Sequence, residues 1–202
     1  AVAPTVAKVL RWLLLLPAYA LGTFPSAVWI AHTKDIDITS VGSGNPGASN
    51  ISRSLGKRWG LLVFLLDGLK GAIPAAGGLL LDDRALGWAL AAAAVIGHMF
   101  PVTRRFKGGK GVATMAGGAI VLQPLISAIL AVLWYVTLKA SKKASLASLV
   151  VMVGLPAGIA IKRSPGWEVA FAAGINTVVF VRHLGNFKRL LTGKELSTQR
   201  LG

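Results

Sequence analysis

Proteins hold phosphate and carboxylate groups with backbone amides in tight glycine turns, with the planar fork of arginine, and with lysine ammonium groups. Three stretches of this chain concentrate those residue types. The first is VGSGNPGASNISR, residues 41–53. Its Gly42, Gly44 and Gly47 let successive N–H groups turn into one concavity, and Ser43 and Asn45 add side-chain partners. Ser49 or Asn50 is expected to cap a helix, on whose face Arg53 lies three to four residues later. The second stretch, GHMFPVTRRFKGGKGVAT at 97–114, separates Lys107 from Lys110 by Gly108 and Gly109. Backbone and ligand can approach closely there, while two ammonium groups and the N-terminus of the next helix add positive potential. It is not a nucleotide P-loop, because Gly111 rather than Ser or Thr follows Lys110. In the third, RHLGNFKRLLTGKE at 182–195, His183 and Asn186 are one helical turn apart and Arg189 follows by three. Phosphate is the ligand that suits all three.

The elements that must position these stretches are membrane helices. The 202 residues are 54% hydrophobic and only 14% charged, with a mean hydropathy of +0.65, outside the range of ordinary soluble domains. The 22 Lys and Arg against 7 Asp and Glu give a net charge of +15, in short clusters between apolar runs, as in loops facing an anionic leaflet. Nucleic acid is the poorer reading and is not expected as a partner, because the six Trp lie mostly inside or at the ends of apolar runs instead of forming a stacking platform. The absence of cysteine excludes disulfides, thiolate zinc sites and a cysteine acyl-enzyme.

Apolar runs occupy about 12–30, 59–81, 85–103, 112–138, 144–161 and 167–181. The first has a signal-peptide look, with Lys8 and Arg11 before LLLL and an A-x-A at Ala18–Ala20, but it continues to Ile30 and so reads as a span. The run 112–138 is broken by Gln123 and Pro124. Only two elements there, turning at the break, bring all three motifs to one face of the membrane. That face then holds sixteen basic residues against five on the other, with Lys70 inside a span. The expectation is one all-α domain over 1–202, a polytopic integral membrane protein of about seven transmembrane helices, with the N-terminus outside and the C-terminus cytoplasmic. The element at 112–122 is about 16 Å long and too short to cross a ~30 Å core. Lys8, Arg11, Lys162 and Arg163 fall on the face that disfavours them. Within the spans, Asp67 and Lys70 are three apart and pair on one helix face, and Asn176 reads as a helix-to-helix hydrogen bond.

Through GSGNPGASN with Arg53, GHMFP with FKGGKGVAT, and RHLGN with RLLTGKE, nearly the whole chain resembles the acyl-phosphate:glycerol-3-phosphate acyltransferases of bacterial membranes. The resemblance implies direct transfer of a fatty acyl group from acyl phosphate to the 1-hydroxyl of glycerol 3-phosphate. Lysophosphatidic acid and inorganic phosphate are the products, and no metal or organic cofactor is used. It places the functional serine on Ser43, the phosphate-binding arginine on Arg53, the Gly-Gly-Lys lysine on Lys110, and the His and Asn on His183 and Asn186. His98 and Arg182, within the second and third motifs, join Gly42, Gly44, Asn45, Gly47, Ser49, Asn50, Lys107, Gly108 and Gly109 as substrate-contacting candidates. It implies a multi-pass protein of the bacterial cytoplasmic (inner) membrane, its active site facing the cytoplasm, with membrane lipids as surroundings and a monomer compatible with the sequence. Thr39 departs from the pattern, standing where an arginine is common, and Ser49 replaces the usual threonine with retention of the hydroxyl.

Two rivals use the same residues differently. His32 and Asp37 have the H-x4-D spacing of thioester-dependent glycerolipid acyltransferases, although FPVTRR lacks the acidic, glycine-containing continuation. A transporter of phosphorylated metabolites could use the basic clusters without chemistry, but the outward loops LDDR and KRSPG are short and no paired interrupted helices occur in matching halves.

Overall fold

The computed structural model describes residues 9–198, and the expectations for Lys8 and for the two chain ends lie outside the described residues. The described chain is all-helical. A 3-10 turn at Arg11–Leu14 leads into α1 (Leu15–Gly22), followed by α2 (Ser26–His32), α3 (Ala48–Leu55), α4 (Lys57–Leu80) and α5 (Arg84–Met99). After a short 3-10 turn at Val102–Arg104 come α6 (Val112–Leu122), α7 (Pro124–Ser141), α8 (Ala144–Ile161), α9 (Gly166–Val181) and α10 (Leu184–Leu191).

Proline sets two of the breaks. Pro124 occupies the first turn of α7, where its missing N–H has no intrahelical partner to lose, and Gln123 before it is non-helical, so the apolar run 112–138 divides there as the sequence suggests. Pro25 likewise parts α1 from α2, so the stretch read as one span over 12–30 is interrupted near Phe24.

Among the described residues, five helical stretches are long and apolar enough to cross a membrane: Arg11–His32, Lys57–Leu80, Arg84–Arg104, Pro124–Ser141 and Ala144–Ile161. Val112–Leu122 and Gly166–Val181 are apolar but shorter. Many large apolar side chains point outward, Leu80 and Ile161 being 84% and 82% exposed. In water that surface would drive aggregation, and in a bilayer it is the surface lipid requires.

The chain divides into two compact units. One comprises the N-terminal stretch through Ser26 together with Phe64–Leu122. In it α1 packs on α5 and α5 on α6, around a core that includes Ala18, Leu86 and Leu90. At one end Arg11 donates to the Leu81 carbonyl at 2.9 Å, Arg84 donates to the Leu122 carbonyl at 2.6 Å, and Asp83 caps α5 by accepting from the Leu86 amide. Arg11 thus satisfies a carbonyl at the C-terminal end of α4. The second motif lies at the other end of α5 and α6.

The second unit comprises Ala27–Val63 and Gln123 onward. Its α7, α8 and α9 pack in sequence, with α10 against α8. The buried Gln123 amide donates to Glu168 at 2.7 Å and accepts from the Lys162 ammonium at 3.0 Å. Those contacts tie together the start of α7, the end of α8 and the start of α9, and they give Lys162 a buried partner. The third motif and Lys143 gather at the opposite end of these helices.

Candidate active site

The second unit carries the first and third motifs. Residues 38–47 form a turn in which Gly42 and Gly44 sit at φ 58° and 66°, a left-handed geometry that favours glycine. Gly47 differs from expectation, since its backbone is extended and it serves as N-cap of α3 with no side-chain cap. Neither Ser49 nor Asn50 caps the helix. Ser49 is exposed, and Asn50, buried inside α3, folds its amide back on the loop instead. Its Nδ2 donates to the Ile38 and Val41 carbonyls at 3.1 and 3.0 Å, and its Oδ1 accepts from the Ser43 amide at 3.0 Å. Such a set uses both donors and one acceptor of the side chain, so Asn50 shapes the loop that presents Ser43.

Arg53 shares the buried face of α3 with Asn50 and is only 6% exposed. Its Nη2 reaches the Ser43 hydroxyl at 3.4 Å, which in turn accepts from the Asn45 amide at the same distance. The Arg53 Nε is buried without a partner. Burial pushes the guanidinium below its ordinary range, the Glu195 carboxylate opposes that shift, and the nearby Arg189 charge adds to it. A desolvated, incompletely paired guanidinium is an anion receptor.

The third motif supplies the neighbours. His183 is buried and its Nδ1–H donates to the Val179 carbonyl at 2.9 Å, which makes Nε2 the acceptor nitrogen of the neutral ring. Asn186 donates to Glu195 Oε1 at 2.6 Å and Arg189 donates to Oε2 at 2.9 Å, while Lys143 reaches the Glu195 carbonyl oxygen at 2.5 Å. Burial alone would raise the Glu195 carboxyl, but the bonds from Asn186 and Arg189, the Arg189 charge and the proximity of Ser145 outweigh it, and the net shift is downward. The Ser145 hydroxyl itself closes no hydrogen bond. Sequence reasoning quoted Glu195 without giving it a part, and counted Lys143 only as a loop charge. Arg182 caps the end of α9, its guanidinium lowered by burial.

The first unit carries the second motif. The Gly109 amide donates to the His98 carbonyl at 3.1 Å, and a Cβ placed on Gly108 or Gly109 would lie 2.1 Å from the His98 carbonyl oxygen or the His98 Nε2. The two glycines are therefore needed for the loop to lie on His98. Lys107 is exposed and Lys110 half-buried, just before α6. The Tyr19 hydroxyl donates to the Phe100 carbonyl at 2.9 Å and accepts from the Val102 amide at 3.1 Å, fixing the start of the basic loop. Asp67 and Lys70 pair as expected, at 2.6 Å.

The acid of the H-x4-D pattern is held within its own loop. Asp37 Oδ1 accepts from the amide and hydroxyl of Thr39 at 2.9 and 2.7 Å, closing a turn, and His32 is exposed.

A family model described as glycerol-3-phosphate acyltransferase matches residues 12–193. The chain belongs to that family. It is 41% identical over 192 residues to the glycerol-3-phosphate acyltransferase of Rubrobacter xylanophilus, covering 92% of this chain and 94% of that one. The Aquifex aeolicus protein of the same name is 38% identical, with 90% and 96% covered. Among solved structures, this acyltransferase is similar to PlsY (YgiH), described as an integral membrane glycerol 3-phosphate acyltransferase. The glycerol 3-phosphate form superposes with a TM-score of 0.86 at 37% identity, covering 95% of this chain and 96% of that one. The lysophosphatidic acid form gives 0.83 at 36% identity, covering 93% and 94%. The likeness extends over the whole fold, and the chain is an all-helical membrane protein.

Proposed function

We propose that this acyltransferase moves a fatty acyl group from acyl phosphate to the 1-hydroxyl of glycerol 3-phosphate, the first acylation of phospholipid synthesis. What supports the reading, beyond the family, is Arg53: a buried guanidinium with an unpaired Nε, next to the Ser43 hydroxyl and flanked by a carboxylate that fixes Asn186 and Arg189. That environment suits the phosphate of glycerol 3-phosphate. Lys110, with Lys107 and the Gly108 and Gly109 amides, is assigned to the phosphate of the donor, and His98 and Arg182 support the same anions.

In the step, the C1 oxygen of glycerol 3-phosphate attacks the acyl carbon. A new C–O ester bond forms, the bond from the acyl carbon to the phosphate oxygen breaks, and the phosphate leaves with that electron pair. The hydroxyl proton passes to His183 Nε2 or to the donor phosphate, whose second pKa lies near 6 as in phosphorylated side chains. The atoms balance with two substrates alone, and no cofactor is assigned. Ser43 and Asn186 orient the hydroxyl or the acyl carbonyl, and the gain comes from positioning and charge stabilisation. Ser43 is no nucleophile here. Its hydroxyl accepts from Arg53 and from the Asn45 amide, which lowers its electron density, and the donor is already activated.

The chain is further proposed to be a single acyltransferase domain with seven membrane helices, the five long stretches plus α6 and α9. The N-terminus lies outside, and the C-terminus and all three motifs lie on the cytoplasmic side of the inner membrane. All assigned residues come from one chain, so a monomer suffices.

The deciding assay offers purified protein acyl phosphate, acyl-CoA or acyl carrier protein as sole donor with labelled glycerol 3-phosphate. Labelled lysophosphatidic acid from acyl phosphate alone supports the reading. Product only from a thioester, or uptake into vesicles without product, overturns it. The chain has no cysteine, so single cysteines test the topology: Lys107→Cys and Lys142→Cys should label from the same, cytoplasmic side.

A further inference from the structure

We propose that Asp67 is a positioning residue for acyl transfer, acting through His98 on the loop Gly108–Gly109–Lys110; the inference rests on the acyl-transfer reading above. An isolated ion pair inside a membrane protein costs more than apolar residues of the same volume. The Asp67–Lys70 pair, 2% and 3% exposed, is not isolated. Lys70 has a second acceptor in the Phe24 carbonyl, at the break before Pro25, at 2.5 Å. Asp67 has a second neighbour in His98, whose Nδ1 lies 3.7 Å from Oδ1. That is an electrostatic contact, longer than a hydrogen bond. A carboxylate on the Nδ1 side favours the proton there and leaves Nε2 as the acceptor nitrogen. Nε2 is the atom against which Gly109 sits, and the His98 carbonyl takes the Gly109 amide. Asp67 therefore sets the orientation and tautomer of the ring on which the loop rests, two residues before α6.

The small residues around it bring the elements close enough for this to work. A Cβ on Gly71 would lie 1.8 Å from the Thr114 carbonyl oxygen, and one on Gly117 would lie 1.9 Å from that of Gly68. The backbone of α4 thus lies directly on the first turns of α6, and a shift at Asp67 is transmitted to the loop without slack.

The test uses the intact protein in detergent, with Asp67→Asn, His98→Gln, His98→Ala and two double variants, Asp67→Asn with His98→Ala and Asp67→Asn with Lys70→Met. Turnover is measured with palmitoyl phosphate and glycerol 3-phosphate, and hydrogen exchange is followed at residues 107–111. Asp67→Asn should lower kcat ~10- to 100-fold while leaving KM for glycerol 3-phosphate within about twofold, the signature of misplacement rather than lost binding. His98→Gln, whose amide reaches the place of Nε2, should retain more turnover than His98→Ala. Adding Asp67→Asn to His98→Ala should cost nothing further. Exchange at 107–111 should rise in Asp67→Asn and His98→Ala. The Asp67→Asn, Lys70→Met variant removes the unpaired Lys70 charge, and it should stay slow with a loosened loop. Its return to wild-type turnover and exchange would show that Asp67 serves Lys70 alone and overturn the proposal, as would unchanged loop exchange in Asp67→Asn. If wild-type protein makes no lysophosphatidic acid, the acyl-transfer reading falls, and the exchange measurement still decides the Asp67–His98 linkage.

Discussion

Replacing Arg53 by Met should separate stability from activity. The guanidinium is buried with Nε unpaired, and an unsatisfied buried donor costs about 1–3 kcal/mol. Removing it relieves that cost and the repulsion from Arg189, and forfeits the attraction of Glu195. These contributions oppose one another, so the net change in stability should stay within about 2 kcal/mol, or less than about 8 °C in Tm for a chain of this size. Activity has no such compensation. If Arg53 gives two charge-assisted hydrogen bonds to the phosphate of glycerol 3-phosphate, at about 1.5–3 kcal/mol each, kcat/KM should fall by a factor of ~10² to 10⁴. The assay pairs steady-state kinetics with thermal unfolding in detergent, with and without glycerol 3-phosphate. At a hundred times Kd the ligand should stabilise wild-type protein by about 2.7 kcal/mol, and it should leave Arg53→Met unmoved. A variant that loses more than ~10 °C in Tm, yet keeps kcat/KM within about tenfold per folded molecule, would refute the reasoning. Arg53 would then be a structural partner of Glu195 and no receptor.

Lys110→Ala should reduce turnover by about two orders of magnitude or more, as expected for loss of a charge clamp on a transferring group, whereas His32→Ala should keep most of it; the reverse ranking would revive the H-x4-D reading. Glu195→Gln keeps an acceptor for Asn186 but loses the one that Arg189 uses, so its Tm should drop at neutral pH by the equivalent of ~1.5–3 kcal/mol. Because the folded Glu195 carboxyl lies below its ordinary value, its contribution is present above the unfolded pKa near 4.3 and is lost as pH falls through the lower folded value. The wild-type and variant Tm curves should therefore converge in acid, and a gap that persists unchanged at about pH 3 would show that the carboxylate charge is not the holding group. Acyl phosphate alone should leave the intact mass of the protein unchanged; a stoichiometric adduct removed by Ser43→Ala and discharged by glycerol 3-phosphate would sink direct transfer.

Helix positions were legible because hydropathy and proline act locally. The runs at 144–161 and 167–181 became α8 and α9 within a residue, and Gln123–Pro124 divided a run of ordinary hydropathy. The Phe24–Pro25 break was missed although it obeys the same rule, because the apolar run continues across it. Loop roles were less legible. Asn50 carries a good capping side chain, yet its amide bonds carbonyls nine and twelve residues away, which no local pattern reveals. Gly108 and Gly109 were understood as ligand-facing, while their tightest neighbour is His98, ten residues earlier. Glu195 was readable in part, as an acid closing the third motif in a chain with few acids. Its engagement with Lys143, fifty-two residues away, depends on how α8 meets the C-terminal segment.

The acids of so basic a protein serve its architecture. There are seven, and each belongs to the architecture. Asp35 and Asp82 sit in left-handed turns at φ 54° and 53°, a geometry that Asp tolerates better than most residues. Asp37 closes the turn at Thr39, and Asp83 caps α5. Asp67 accepts from Lys70, Glu168 from Gln123, and Glu195 from Asn186 and Arg189. Glu195 is the informative case, because a carboxylate directed at Arg53 could occupy the place proposed for the substrate's phosphate. Its two oxygens instead accept from Asn186 and Arg189, so it acts on Arg53 at longer range, offsetting part of the desolvation of the guanidinium without filling its hydrogen-bonding positions. On the proposed reading, an anion arriving at Nε would complete a set of bonds that the protein leaves incomplete, and binding energy of that kind would fall on the phosphate and not on the acyl chain.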